Sequence, residues 1–164
     1  MVNKHTSQGN NLLVIQLCRR GVQLKNSRLV HPIASRSRFF LLWFPAFVVK
    51  GDDWWQWRGP DRNGVCHEVN LLQHWNEGET PEVAWRASVG KGHSAVSVAD
   101  GRAYTMGWDG SQDTVYCFDA ATGKPIWSQS YPCETILQWP GPRSTPTFHD
   151  GAVFTLGRHG QLRA

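Results

Sequence analysis

From residue 94 onward the chain alternates short apolar stretches with pairs of turn-forming residues. Ser94 to Val98 and Ala103 to Met106 are rich in small, β-branched or aromatic side chains, and Ala99-Asp100-Gly101 separates them. Asp-Gly supplies the positive φ values of a two-residue hairpin, so the pair predicts two antiparallel strands. Asp150-Gly151 predicts the same turn further on. Thr114-Val-Tyr-Cys-Phe118 alternates as a half-buried strand does, and Asp119-Ala-Ala-Thr-Gly123-Lys124 reads as a turn with Gly123 in the left-handed position. Pro125-Ile-Trp127 then opens another strand. The pattern predicts a four-strand meander over Ser94 to Val98, Ala103 to Met106, Thr114 to Phe118 and Ile126 to Gln129.

The pattern repeats at a fixed offset. Ser94 to Gly107 laid over Ser144 to Gly157 matches Ser94 with Ser144, Asp100-Gly101 with Asp150-Gly151, Tyr104 with Phe154, Thr105 with Thr155, and Gly107 with Gly157, all 50 apart. Pro81-Glu-Val-Ala-Trp85 echoes Gly123-Lys-Pro-Ile-Trp127, with the tryptophans 42 apart. Periods of about 40 to 50 residues with short strands and Gly-containing turns are those of propeller blades. The expected fold is all-β, an incomplete β-propeller of four-stranded antiparallel blades.

These residues carry a family resemblance. Phe118-Asp-Ala-Ala-Thr-Gly-Lys-Pro-Ile-Trp127 resembles the tryptophan-docking repeat of quinoprotein-type (PQQ-like) β-propellers, whose usual form is Asp-x-x-Thr-Gly-Lys-x-x-Trp. Trp54 to Gly64, W-x-x-W-R-G-P-x-R-x-G, is similar to the start of secreted PQQ-like repeat proteins of the planctomycete type, and Gly141-Pro-Arg-Ser-Thr-Pro146 resembles their next blade. The resemblance covers residues 53–164. It implies that Trp85 and Trp127 sit on outer strands and wedge against a neighbouring blade. Along an extended strand Trp55 and Trp57 would share one face while Trp54 and Gln56 share the other, so one ligand does not readily stack on all three indoles. The cluster is expected to secure an N-terminal strand across the blades, ending at Gly59-Pro60.

Charge separates this body from what precedes it. Residues 1–50 hold eight of the 17 Lys and Arg and no acid, whereas residues 51–164 hold nine bases against all 13 acids, a net −4. The basic character therefore belongs to the leader, and no nucleic-acid partner is expected for the body. Residues 1–38 read as a basic leader, poorly ordered or lying upstream of the true start. Residues 39–50 follow Arg36 and Arg38 with an apolar run from Phe39 to Val49 that is too short to span a bilayer and has the size and preceding charge of a secretory h-region. Export to the periplasm or cell envelope is expected, with membrane contact only through that segment. An initiator near Leu29 or Val30 would place the run correctly.

Candidate chemistry is sparse. Asp109-Gly-Ser-Gln-Asp113 begins as a calcium loop does, but Ala120 stands where the bidentate Glu belongs, and a solvated hairpin tip is the expected reading. Around Gly90-Lys91-Gly92 the phosphate-loop pattern fails at both ends. His67, His74, His93, His149 and His159 form no zinc motif, and Cys66, Cys117 and Cys133 have no C-x-x-C spacing. Ser94 and Ser144 recur at matching positions, which a structural role predicts. The residue singled out is Arg143, which follows a Gly-Pro turn just before an inner strand, where a propeller's side chains face the central channel. It is a candidate for binding an anionic cofactor group such as a quinone carboxylate; the alternative is an ion pair with a neighbouring blade's acid. No catalytic residue and no metal ligand is assigned.

Two functions follow from the resemblance. One is a non-catalytic scaffold of the cell envelope that binds a protein or small molecule, as assembly-factor propellers do. The other is the N-terminal part of a dehydrogenase using pyrroloquinoline quinone and calcium to oxidise an alcohol or sugar; the adjacent cysteines and acidic calcium site of such enzymes are not seen in these residues. Closing a propeller takes four to eight blades, and the body supplies about two. The chain is accordingly expected to be a fragment that folds poorly alone.

Overall fold

The computed structural model describes residues 12–15, 52–69, 83–134 and 139–164. The apolar run 39–49, His74 and the leader other than 12–15 lie outside them. The described elements are all strands. They are β1 (Leu12–Ile15), β2 (Trp85–Ser88), β3 (Ser97–Ala99), β4 (Arg102–Trp108), β5 (Gln112–Asp119), β6 (Pro125–Pro132), β7 (Thr147–His149), β8 (Ala152–Leu156) and β9 (Leu162–Arg163). Strands β3 to β6 form one antiparallel sheet in chain order, β7 to β9 a second, and β1 pairs with β2. The predicted order of four strands is present, with the first shorter and shifted, Ser97–Ala99 in place of Ser94 to Val98, and the three later strands longer than the sequence pattern marks.

Local turn chemistry builds both sheets alike. Asp100 and Gly101 have φ of 50° and 70°, and Asp150 and Gly151 have 48° and 79°. Both pairs thus adopt the doubly left-handed turn that matches strand twist. The strands they join are in the same register. Ser97 faces Tyr104 and Ala99 faces Arg102 in the first unit. Thr147 faces Phe154 and His149 faces Ala152 in the second, each 50 residues on.

Serine holds each hairpin from the side. Ser94 Oγ accepts from the Met106 amide at 3.2 Å, and Ser144 Oγ donates to the Leu156 carbonyl at 2.5 Å. Ser94 is fully buried. Equivalent residues therefore do equivalent structural work, as expected for both serines.

The core lies within the first unit and between the two. Trp85, Val89, Val96, Ala103 and Phe118 form one apolar cluster, and Met106, Val115, Tyr131 and Cys133 another against Val153. A third joins Ala99, Tyr104 and Cys117 to Trp55, Phe148 and Val153. Tyr104 and Phe148 stack with centroids 5.8 Å apart. Burying such rings stabilises by about 1.5–3 kcal/mol each, so these contacts join the units.

The N-terminal segment inserts between β3 and β7. The Trp54 amide donates to Val98 at 2.7 Å and accepts through its carbonyl from the Val98 amide at 2.9 Å, while the Phe148 amide donates to Trp55 at 2.9 Å. Two adjacent residues thus tie β3 to β7, which is the bridging role expected of this cluster. The expected alternation is corrected beyond Trp55. A turn closed by the Gly59 amide on the Gln56 carbonyl at 3.1 Å ends the extended run three residues before Gly59. Arg58 and Gly59 take φ of 62° and 79°. Gln56 is buried instead of sharing a strand face with Trp54; its amide donates to the Pro60 carbonyl and its oxygen accepts from Arg62 Nε, both at 2.9 Å. Trp57 is consequently turned out to solvent, 61% exposed, under the Arg58 guanidinium. The motif Trp54 to Gly64 is a compact loop organised around a glutamine.

Candidate functional site

Arg143 stands where the turn chemistry places it, ahead of β7, on a rigid support. Gly141 lies so close to the other unit that a β-carbon there would be 2.4 Å from the Lys91 carbonyl oxygen and 2.5 Å from the Gly92 α-carbon. The His93 amide donates to the Pro142 carbonyl at 2.7 Å. Lys91 is fixed in turn by paired 2.8 Å bonds with Trp108. His93 and Arg143 are 50 residues apart, the same repeat position in two units.

The side chains at this junction are basic and aromatic. Arg143, Lys91 and His93 are all exposed. Trp139 is 55% exposed and meets His93 edge-on, centroids 6.3 Å apart. Such an edge suits an anionic or planar ligand, since guanidinium and ammonium groups attract carboxylates and the indole offers a stacking face. Ser94, beside His93, is buried and bonded within the blade, so it is not presented as a nucleophile. Sequence reasoning selected Arg143 alone. The same 50-residue offset, carried one step further back, pairs it with His93 and Gly141 with Lys91.

A buried ion pair between the two sheets is made by Arg158. Arg158 Nη2 donates to Asp113 Oδ1 at 3.1 Å, with side chains 6% and 0% exposed. Arg158 also reaches Cys133 Sγ at 3.0 Å and lies 5.3 Å over the Trp108 ring, while Trp108 Nε1 donates to the Cys133 carbonyl at 3.1 Å. Asp113 comes from β5 and Arg158 from just after β8, so the pair bolts the units together. Trp108 and Arg158 occupy one repeat position, which is the signal that places them side by side.

Asp113 therefore lies buried between the two sheets and not at a hairpin tip. Asp109 is turned to its own loop, accepting through Oδ1 from the Ser111 and Gln112 amides, both at 2.8 Å, and from the Ser111 hydroxyl. These bonds, led by the Ser111 amide, hold its carboxyl below the usual range. The two oxygens that a calcium reading would share are thus committed in different places. Among the described residues no three His, Cys, Asp or Glu side chains cluster as metal ligands. Cys66 is exposed, and Cys117 and Cys133 are buried; all three are free thiols. Burial pushes the Cys117 and Cys133 thiols up, with Asp113 adding to the rise at Cys133.

A cleft of about 290 Å³ lies between the two units. Tyr104, Trp127, Tyr131 and Phe148 line it, with Arg102 and Arg163 among its remaining lining residues. Arg163 stands 4.2 Å over the Tyr131 ring.

Trp85, at the start of β2, packs on the turn between β5 and β6. Trp85 Nε1 donates to the Ala120 carbonyl at 2.9 Å, and its ring packs on Phe118 with centroids 5.7 Å apart. The indole covers the Asp119 to Lys124 turn, where Thr122 donates twice to Asp119 Oδ1 at 2.7 Å and Gly123 has φ of 72°. A family model described as outer membrane protein assembly factor BamB, a PQQ-type repeat, matches residues 74–164, which contain this turn and both hairpins. The chain belongs to that family. No curated protein matches it, and no solved structure does. The all-β antiparallel sheets are consistent with a PQQ-type repeat.

Proposed function

We propose that the chain is a non-catalytic binding module of the cell envelope, a PQQ-like propeller segment exported by its apolar leader segment. The observation that carries this reading is the match of residues 74–164 to a repeat family described as an assembly factor. The disposition of polar side chains supports it. Asp113, Arg158, Ser94 and Ser144 each bind strands or units together. Trp85 acts as an inter-blade peg on this reading, and Trp127, at the equivalent position, is the next.

Arg143, with Lys91 and His93 on the same basic edge, is the proposed contact for an anionic group of a ligand. A quinoprotein dehydrogenase segment is the second reading, since a quinone carboxylate would suit this edge. Were pyrroloquinoline quinone bound here, Arg143 would hold a carboxylate, and the quinone would supply the hydride-accepting chemistry.

Titrating the full-length protein with the quinone and calcium tests the choice. The expected result is no bound-cofactor absorbance and no dye-linked alcohol oxidation. Stoichiometric quinone binding with dye reduction would overturn the scaffold reading. Mass spectrometry of the exported protein is expected to show an N-terminus beyond residue 38, and a mature chain beginning at Met1 would overturn the export proposal.

A further inference from the structure

Two strands occupy the outer position of the repeat. Trp85 opens β2 and Trp127 lies in β6, at equivalent places 42 residues apart. Strand β2 carries an added neighbour: β1 pairs with it antiparallel, Leu12 facing Ser88 and Ile15 facing Trp85. The added segment is Leu-Leu-Val-Ile, apolar and uncharged. An outer strand of this repeat thus accepts a short extended apolar segment through its backbone.

Strand β6 offers the same stretch, Trp127-Ser128-Gln129-Ser130, within eight residues. Among the described residues its ladder partner is β5, and β6 forms the edge of the four-stranded sheet. Pro125 to Ser130 are all exposed, including Ile126 and Trp127. Edge strands are usually blunted by charge, bulges or interior proline. Here the interior of Pro-Ile-Trp-Ser-Gln-Ser-Tyr-Pro has neither charge nor proline, and its pairing with β5 is regular from Trp127 to Pro132, the one register shift falling at Ile126. Such an edge presents unpaired N–H and C=O groups to a second chain.

We propose that the open edge of β6 is a docking site for an extended, uncharged apolar segment of a partner polypeptide, which adds as a fifth antiparallel strand in the register that Leu12–Ile15 takes on β2. Backbone hydrogen bonds supply the affinity and alternate side chains the choice of partner. Trp127, Gln129 and Tyr131 line the inter-unit cleft from β6. Because side chains of paired strands share faces, alternate side chains of the added strand stand on the cleft side. The proposal rests on the reading of the chain as a binding module.

The test uses hydrogen exchange on the unprocessed chain, residues 1–164, in which β1 still covers β2, with a capped synthetic peptide of residues 10–17, Asn-Asn-Leu-Leu-Val-Ile-Gln-Leu, as probe. With the peptide at about ten times its Kd, outward amides within residues 125–132 should exchange about tenfold more slowly. Methylating alternate backbone nitrogens of the peptide should abolish the effect in one of the two alternating sets and spare it in the other, because only every second N–H of an added strand points at its neighbour. No slowing over residues 125–132, slowing confined to 85–88, or equal binding by both methylated peptides would overturn the site. A bound quinone with dye reduction would overturn the module reading whatever the exchange result, so the two failures are separate.

Discussion

Trp85 lies flat against the backbone of Gly123, so close that a β-carbon on that glycine would stand 2.4 Å from the ring. The contact joins β2 to the turn between β5 and β6. Two requirements meet at Gly123: a left-handed backbone with φ of 72° and the absence of any side chain under the indole. Gly123 therefore leaves room for the Trp85 indole against the Asp119 to Lys124 turn.

Replacing Gly123 with alanine is expected to destabilise the fold by at least about 2 kcal/mol, combining about 1–2 kcal/mol of left-handed strain with the cost of overpacking. Gly101 is the control. It has φ of 70° and nothing within 4 Å of a β-carbon, so Gly101→Ala carries the strain alone. Urea unfolding followed by tryptophan fluorescence gives both values. Equal losses would show that Trp85 does not press on Gly123.

The parts of this fold legible in sequence are those that local chemistry decides. Asp100-Gly101, Asp150-Gly151 and Gly123 each demand a positive φ, and the strands follow from them. The Gln56 turn was not legible, because its left-handed residue is Arg58, with neither Gly nor Asn at that position to announce it. Nor was the Asp113–Arg158 pair, whose members are 45 residues apart and meet only when two sheets pack. Arg143 could be placed by its turn, whereas its grouping with Lys91 and His93 depends on a backbone contact between units.

Removing one partner of the buried Asp113–Arg158 pair strands a charge between the sheets. Asp113→Ala is expected to cost about 3–5 kcal/mol, and Arg158→Met a comparable amount. The double replacement Asp113→Leu with Arg158→Met should recover most of that loss, because Asp113 Oδ2 and Arg158 Nε and Nη1 lack partners among the described residues and the pair's desolvation is poorly compensated. A double-mutant cycle in urea measures the coupling. Strict additivity of the single losses would refute the interaction.

Thiol reactivity should divide the cysteines by position. Cys117 and Cys133 are buried, and burial raises both thiols, so little thiolate is available at neutral pH. Alkylation followed by peptide mass spectrometry is expected to label Cys66 at least about tenfold faster than either, with the difference disappearing in denaturant. Rapid labelling of Cys133 in the folded protein would mean that the inter-unit junction opens.

Acid sensitivity should come from the turns that hold the units. Asp119 is held below the usual carboxylate range, first by the Thr122 hydroxyl and then by the Thr122 amide. Asp109 is lowered in the same direction by the Ser111 and Gln112 amides. A carboxyl whose folded value is depressed stabilises the fold fully above its unfolded value, near pH 3.9 for aspartate, and loses that contribution as pH falls through the folded value. Stability is therefore expected to fall below about pH 4, and to fall less steeply in Asp119→Asn, which keeps an oxygen to accept from Thr122 but no longer titrates. Denaturation midpoints measured from pH 6 down to about pH 2 compare the slopes. An acid limb unchanged by Asp119→Asn would place the titrating groups elsewhere and deny this turn its electrostatic role.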